Sequence, residues 1–160
     1  MEKISYDNFR QKLHSKSSQD IFPLRAMFEL TYDCNFKCKH CYVPQAYRIK
    51  YRRKQLKTKE VFSVLDQLKD IGCFYLGFTG GEPFFRPDIM RILEYAKRQG
   101  FQIIIYTNGS LLNDRIIRNL AKINPNKVDI TLPGISRAVF ERVTGAVGSY
   151  DAVFKAINLL

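Results

Sequence analysis

The sequence predicts an α/β fold built on parallel strands, and three observations carry that prediction. Apolar stretches of strand length alternate four times with stretches of helical period, and this alternation specifies parallel strands joined by crossover helices on one side. The strand stretches are continuous apolar runs, as in Ile103-Ile104-Ile105, which suits strands covered on both faces. Polar or glycine-rich residues follow the strands, where folds of this class place ligands.

Taken in order, residues 1–20 are polar and of mixed charge. They read as a leader, amphipathic or frayed, with Ile4, Phe9 and Leu13 as docking points. Arg25 to Tyr32 is the first strand, and a cysteine-rich loop follows it directly. Thr58 is placed to cap a helix running to Ile71, with Val61, Val64, Leu65, Leu68 and Ile71 as its apolar stripe. Phe74 to Thr79 is the second strand, ended by Gly80-Gly81-Glu82-Pro83. The next helix runs from about Pro87 to Gln99, with Ile89, Ile92, Leu93 and Ala96 at helical spacing and Gly100 as its stop. Phe101 to Thr107 is the third strand, turned by Asn108-Gly109. Asn113 caps a helix whose inward residues are Ile116, Ile117, Leu120 and Ala121. Val128 to Leu132 is the fourth strand. Short helices follow near Ser136 to Arg142 and from Asp151 onward.

The chain has 160 residues, enough for one domain with a core. No apolar run approaches the roughly 18 residues that cross a bilayer, and the first residues lack the apolar region of a secretory signal. The expected location is the cytoplasm. The net charge is +11. Nine Lys or Arg and no acid lie between Asp33 and Glu60, most densely over Arg48 to Lys54. A basic run with interleaved tyrosines can hold RNA or an acidic substrate. The simpler account is a solvated loop beside the cysteines.

Three of the four cysteines fall within eight residues, Cys34, Cys38 and Cys41, in the spacing C-x3-C-x2-C. So tight a group points to a metal or cluster site and not to disulfides. Three thiolates would leave one iron of a four-iron cluster without a protein ligand, open to a small molecule. Zinc is the alternative, but a structural zinc site wants four ligands, usually as two separated pairs. The candidates for a fourth are His40, which sits between ligands, and Cys73, which reads as a buried structural thiol. Gly80 and Gly81 permit close backbone approach, and Glu82 can bind an ammonium group. Asn108-Gly109 is a generic turn, and Arg142 can hold a carboxylate. The cysteine loop, Gly80-Gly81-Glu82, Asn108 and Thr131 all fall on the rim after strand C-termini.

Together, Cys34, Cys38 and Cys41, then Gly80-Gly81-Glu82-Pro83, then Thr107-Asn108-Gly109 resemble the radical S-adenosylmethionine superfamily from about Met27 to Leu160. The resemblance implies a partial (βα)6 TIM-like barrel with about four βα units present: a leader over 1–20 and a core domain over 21–160, truncated at its C-terminus. It implies a [4Fe-4S] cluster on Cys34, Cys38 and Cys41. S-adenosylmethionine would be cleaved there reductively to a 5′-deoxyadenosyl radical that takes hydrogen from a substrate. His40 would stand where an aromatic residue usually packs near the adenine. Gly80, Gly81 and Glu82 would meet the methionine amino group, Asn108 and Thr131 would contact the cofactor, and Arg142 would reach its carboxylate. Cys34-Asn35, His40-Cys41-Tyr42 and Gly148-Ser149-Tyr150 look like the SPASM or twitch-type branch that modifies peptides or matures cofactors. Its implied partners are a flavodoxin or ferredoxin as electron donor and a peptide or small-molecule substrate, with no membrane or nucleic acid. At Thr131-Leu132-Pro133-Gly134 the chain departs from that branch, because Pro133 replaces its acid. The alternatives are the molybdenum-cofactor cyclase branch, which shares the Arg142 to Gly145 pattern, and a non-catalytic metal-binding module that holds RNA.

Overall fold

Strands and helices alternate as the sequence predicts in the computed structural model, which describes residues 5–20, 22–51 and 54–160. The strands are β1 (Arg25–Thr31), β2 (Tyr75–Gly80), β3 (Gln102–Thr107) and β4 (Lys127–Ile130). They form one sheet in the order β1-β2-β3-β4, and every neighbouring pair is parallel. The helices are α1 (Tyr6–Asp20), α2 (Gln45–Tyr51), α3 (Thr58–Asp70), α4 (Ile89–Arg98), α5 (Asp114–Ile123), α6 (Arg137–Thr144) and α7 (Tyr150–Leu159). Ile4, Arg52 and Arg53 lie outside the described residues. Phe9 of α1 docks edge-on against Phe74, with ring centroids 5.8 Å apart.

Alternation along the strands gives the sheet two different faces. Leu30, Leu76, Phe78, Ile103 and Ile105 point one way and are buried. Val61 and Leu65 of α3, Ile92 and Leu93 of α4, and Leu120 of α5 complete the same core. Burial of each such side chain contributes about 1.5–3 kcal/mol. Met27, Gly77 and Ile104 share the opposite face through the β1–β2 and β2–β3 registers. A Cβ at Gly77 would stand 3.1 Å from the Tyr106 ring, so the glycine lets that ring lie across β2.

The register of β1 against β2 slips between Glu29 and Thr31. Leu30 is the extra residue. Such a bulge bends the strand and re-aims the segment beyond it, here the cysteine loop. The bulged carbonyl is not left bare, because Arg86 Nη1 donates to Leu30 O at 2.8 Å.

Several sequence-based boundaries need correction. Lys57, not Thr58, precedes α3, and the Glu60 carboxylate accepts its N–H at 2.6 Å. With the first turn capped that way, the Thr58 hydroxyl donates instead to Asp88 Oδ2 at 2.7 Å. Ile71 follows the last helical residue and is exposed. Ala121 is also exposed, because α5 turns Leu120 and Ile123 inward, with Ile116 and Ile117 packed beside them. Asn113 does cap α5, accepting from Ile116 N–H at 3.0 Å. β4 stops at Ile130. Thr131 N–H still donates to Thr107 O at 3.1 Å, but Pro133 has no N–H to extend a ladder. Part of the basic stretch read as a solvated loop is helix α2, as far as Tyr51.

Candidate functional site

Four separate elements hold the cysteine loop that leaves β1. Phe36 is 2% exposed and packs edge-on against Phe140 of α6, centroids 6.1 Å apart, with Val153 of α7 alongside. Lys37 N–H and Lys39 N–H donate to Thr144 O and Val143 O, each at 2.9 Å, which lays the loop along the end of α6. Arg48 of α2 donates from one terminal nitrogen to Cys34 O at 3.0 Å and Phe36 O at 2.9 Å. From the end of β3, the Asn108 side-chain amide donates to Asn35 Oδ1 at 2.9 Å and to Cys34 Sγ at 3.7 Å.

The strand end after β2 is stitched to the same loop. Gly81 N–H donates to Thr31 O at 2.6 Å, and Glu82 N–H to Asp33 O at 2.8 Å. A Cβ on Gly80 would collide with Thr31 O, and one on Gly81 with Asp33 O. The close approach that these glycines permit is therefore to the backbone entering the cysteine loop. Gly80 also takes φ 126, which favours glycine.

All four cysteines are free thiols, and Cys73 is buried as expected. Cys34, Cys38 and Cys41 line two cavities that the loop separates. One, of about 620 Å³, is shared with α2. The other, of about 330 Å³, opens over the strand ends. Burial pushes the Cys34 thiol up, while Phe36 N–H, 3.3 Å from its sulfur, and the Asn108 amide pull it back. Burial also pushes Cys38 up, and the nearby Cys34 and Cys41 sulfurs add to it. Among the described residues no three Cys, His, Asp or Glu side chains gather where one metal ion could sit. Three soft thiols that line a shared cavity suit an iron-sulfur cluster, for which thiolate is the usual ligand.

The sequence-predicted residues separate by position. His40, Gly80, Gly81, Asn108 and Thr131 line the smaller cavity with the cysteines. Glu82 lines neither cavity. Its side chain is 0% exposed. It accepts from Thr107 Oγ1 at 2.7 Å, Asn108 N–H at 2.7 Å and Phe84 N–H at 3.0 Å. Burial raises its pKa, and those donors oppose the rise. Arg142 is exposed on α6 and lines neither cavity.

Sequence reasoning named Asn108 as a cofactor contact and Asn35 and Tyr42 as signature residues, but it missed Arg48 and Ser110 and the contacts that tie Asn35, Asn108 and Ser110 together. The Tyr42 hydroxyl donates to Gly80 O at 3.2 Å. It also missed Arg86, which is buried, binds Asp88 at 2.7 Å and donates to Leu56 O as well as Leu30 O. Pro44 was the available sign of α2, since proline favours a helix start, and its carbonyl accepts from Tyr47 and Arg48 N–H.

The chain is 31% identical over 158 residues to the Fe-coproporphyrin III synthase of Methanosarcina barkeri, covering 97% of this chain and 39% of that protein. It is 32% identical over 138 residues to the mycofactocin maturase MftC of Mycobacterium ulcerans, covering 86% of this chain and 36% of that one. It thus spans well under half the length of these relatives. Streptococcus suis SuiB, solved with its precursor peptide SuiA, superposes with a TM-score of 0.68 at 22% identity, over 91% of this chain and 33% of that one. SuiB has also been solved with S-adenosylmethionine. The fold is thus that of TIM-barrel-like enzymes, of which four strands are present. Residues 28–160 match the Radical SAM superfamily, whose members use a [4Fe-4S] cluster and S-adenosylmethionine, and the chain belongs to that family.

Proposed function

We propose that this chain binds a [4Fe-4S] cluster through Cys34, Cys38 and Cys41 and S-adenosylmethionine in the cavity over the strand ends. The observation that carries the reading is that three free thiols of one loop line the same cavity as Gly80, Gly81, Asn108 and Thr131. Its volume, about 330 Å³, is within the usual range for small-molecule sites. A cluster held by Cys34, Cys38 and Cys41 would supply one electron to bound S-adenosylmethionine, whose carbon–sulfur bond would break to release methionine and a 5′-deoxyadenosyl radical able to take hydrogen from a substrate. The protein's part is to hold and orient. Arg48, Phe36 and the α6 carbonyls fix the loop, His40 lies beside the cavity, and Glu82 braces Thr107 and Asn108 from behind. Arg142 has no part in this cavity.

The substrate proposed is a peptide or cofactor precursor, handled by an enzyme of the SPASM or twitch-type branch. Relatives named as a mycofactocin maturase and a subtilosin biosynthesis protein, and the SuiB complex with its precursor peptide, support that class. The electron donor proposed is a small acidic carrier of the flavodoxin or ferredoxin type. Lys37, Lys39, Lys50 and Lys54 are exposed around the cysteine loop and α2, and such a surface steers an acidic partner. The location proposed is the cytoplasm. Four free thiols suit a reducing compartment, and among the described residues no helix is long and apolar enough to cross a membrane.

The test is anaerobic reconstitution with iron and sulfide, then addition of dithionite and S-adenosylmethionine. The wild-type chain should turn brown and release 5′-deoxyadenosine, and Cys38→Ala should do neither. A colourless wild-type protein holding zinc, or 5′-deoxyadenosine formed by Cys38→Ala, would refute the assignment.

A further inference from the structure

Asn108 lies where β3 ends, across the site from Cys34, and the orientation of its amide is determined by its neighbours. Its Oδ1 accepts from the Ser110 backbone N–H at 2.9 Å and from Ser110 Oγ at 2.7 Å. A backbone N–H is only a donor, so the atom it meets is the oxygen and the other branch is the nitrogen. That nitrogen donates to Asn35 Oδ1 and approaches Cys34 Sγ at 3.7 Å. Two further contacts stiffen the arrangement. The Asn35 amide donates to Ser110 Oγ at 2.8 Å, and buried Glu82 accepts the Asn108 backbone N–H at 2.7 Å. A side-chain amide locked at both ends and aimed at a sulfur is more than turn chemistry, which needs only the Ser110 contacts.

We propose that Asn108 is a positioning residue that tunes the electron affinity of the cluster by donating a hydrogen bond to the Cys34 sulfur. The proposal rests on the reading of Cys34 as a cluster ligand. Hydrogen bonds to ligating sulfurs are among the levers that set an iron-sulfur potential. A donor stabilises the more negative, reduced form over the oxidised one, because its partial positive charge faces the added electron. Phe36 N–H, 3.3 Å from the same sulfur, is fixed by the backbone, so the Asn108 amide is the donor that substitution can remove. Asn108 therefore acts through Cys34, and Glu82 and Ser110 hold Asn108 in place.

The experiment is an anaerobic redox titration of the reconstituted 160-residue chain, monitored by electron paramagnetic resonance, with iron counted for each protein. Asn108→Leu keeps the volume and removes the donor. Asn108→Ser keeps a turn acceptor for Ser110 N–H but is too short to reach Cys34, so it decides the matter if the leucine variant fails to fold. Asn35→Ala cuts the tie between the loops and leaves the Asn108 donor in place. At a fixed solution potential, the reduced-to-oxidised ratio should fall about tenfold in the Asn108 variants, which is 59 mV for a one-electron couple. Asn35→Ala should stay within about twofold of wild type. Asn108 variants that load iron and also stay within about twofold overturn the proposal, and so does an equal fall in Asn35→Ala. A wild-type chain that takes up no cluster removes the ligand reading itself, and iron counting separates that failure from the others.

Discussion

Arg48 and Arg86 do the same work at two places: each places a charged donor on backbone carbonyls that secondary structure leaves unpaired. Arg48 serves Cys34 O and Phe36 O, and a hydrogen bond from a charged group is worth about 1.5–3 kcal/mol. Arg48→Met should lower stability by about 1–3 kcal/mol and reduce iron bound per chain, read by thermal melting and iron assay. Arg86 holds the bulge carbonyl of Leu30 and is itself oriented by Asp88, at 2.7 Å. Hydrogen bonding from Arg86 keeps the Asp88 carboxyl below its usual range. A depressed native pKa means that its stabilisation is complete above the unfolded value, about 3.9, and fades as acid protonates it. Asp88→Asn should therefore melt below wild type at neutral pH, with the gap closing as pH falls below about 4. A gap that widens on acidification would refute the pairing. At this scale the sequence disclosed the cysteines, whose chemistry is carried by spacing. It hid Arg48, Ser110 and the contacts of Asn35, whose partners are distant in the chain and leave no periodic trace; Asn35 and Ser110 are 75 residues apart.

The elements divide in the same way. α3, α4 and α5 were legible because each buries an apolar stripe against the sheet, and a stripe is what periodicity detects. α2 buries no residue, so its sequence shows only charge and aromatic rings. The end of β4 was overread because apolar content continues to Leu132, while hydrogen bonding is halted at Pro133. Helices α6 and α7 were expected close to where they lie. Their purpose was not visible, because the apolar patch they share with Phe36 forms only in three dimensions. Phe36→Ala should cost about 3–5 kcal/mol, the usual range for a buried phenylalanine. The loss should appear as a lower melting temperature together with incomplete cluster loading. Normal loading in a destabilised variant would mean that the loop keeps its shape without this anchor.

At the scale of the molecule, the sheet is covered by helices on one face, and its other face carries the smaller cavity. Met27 is 61% exposed on that open face. In the chain as it stands, Met27→Gln should change stability by less than about 0.5 kcal/mol, as exposed positions do. A larger loss in a denaturant titration would show that something covers this face in solution. The α/β class and parallel pairing were legible because four apolar runs joined by helical crossovers favour a parallel sheet. The strand order is also the chain order, and this has a consequence for synthesis. Each strand's ladder partner therefore precedes it in the chain and has already been made when the strand leaves the ribosome. The cysteine loop is the exception. It emerges early, yet its holders at Asn108, Phe140 and Thr144 emerge late. A nascent chain that ends before the sixth helix therefore lacks the Phe140 and Thr144 contacts that help to hold its thiols in place.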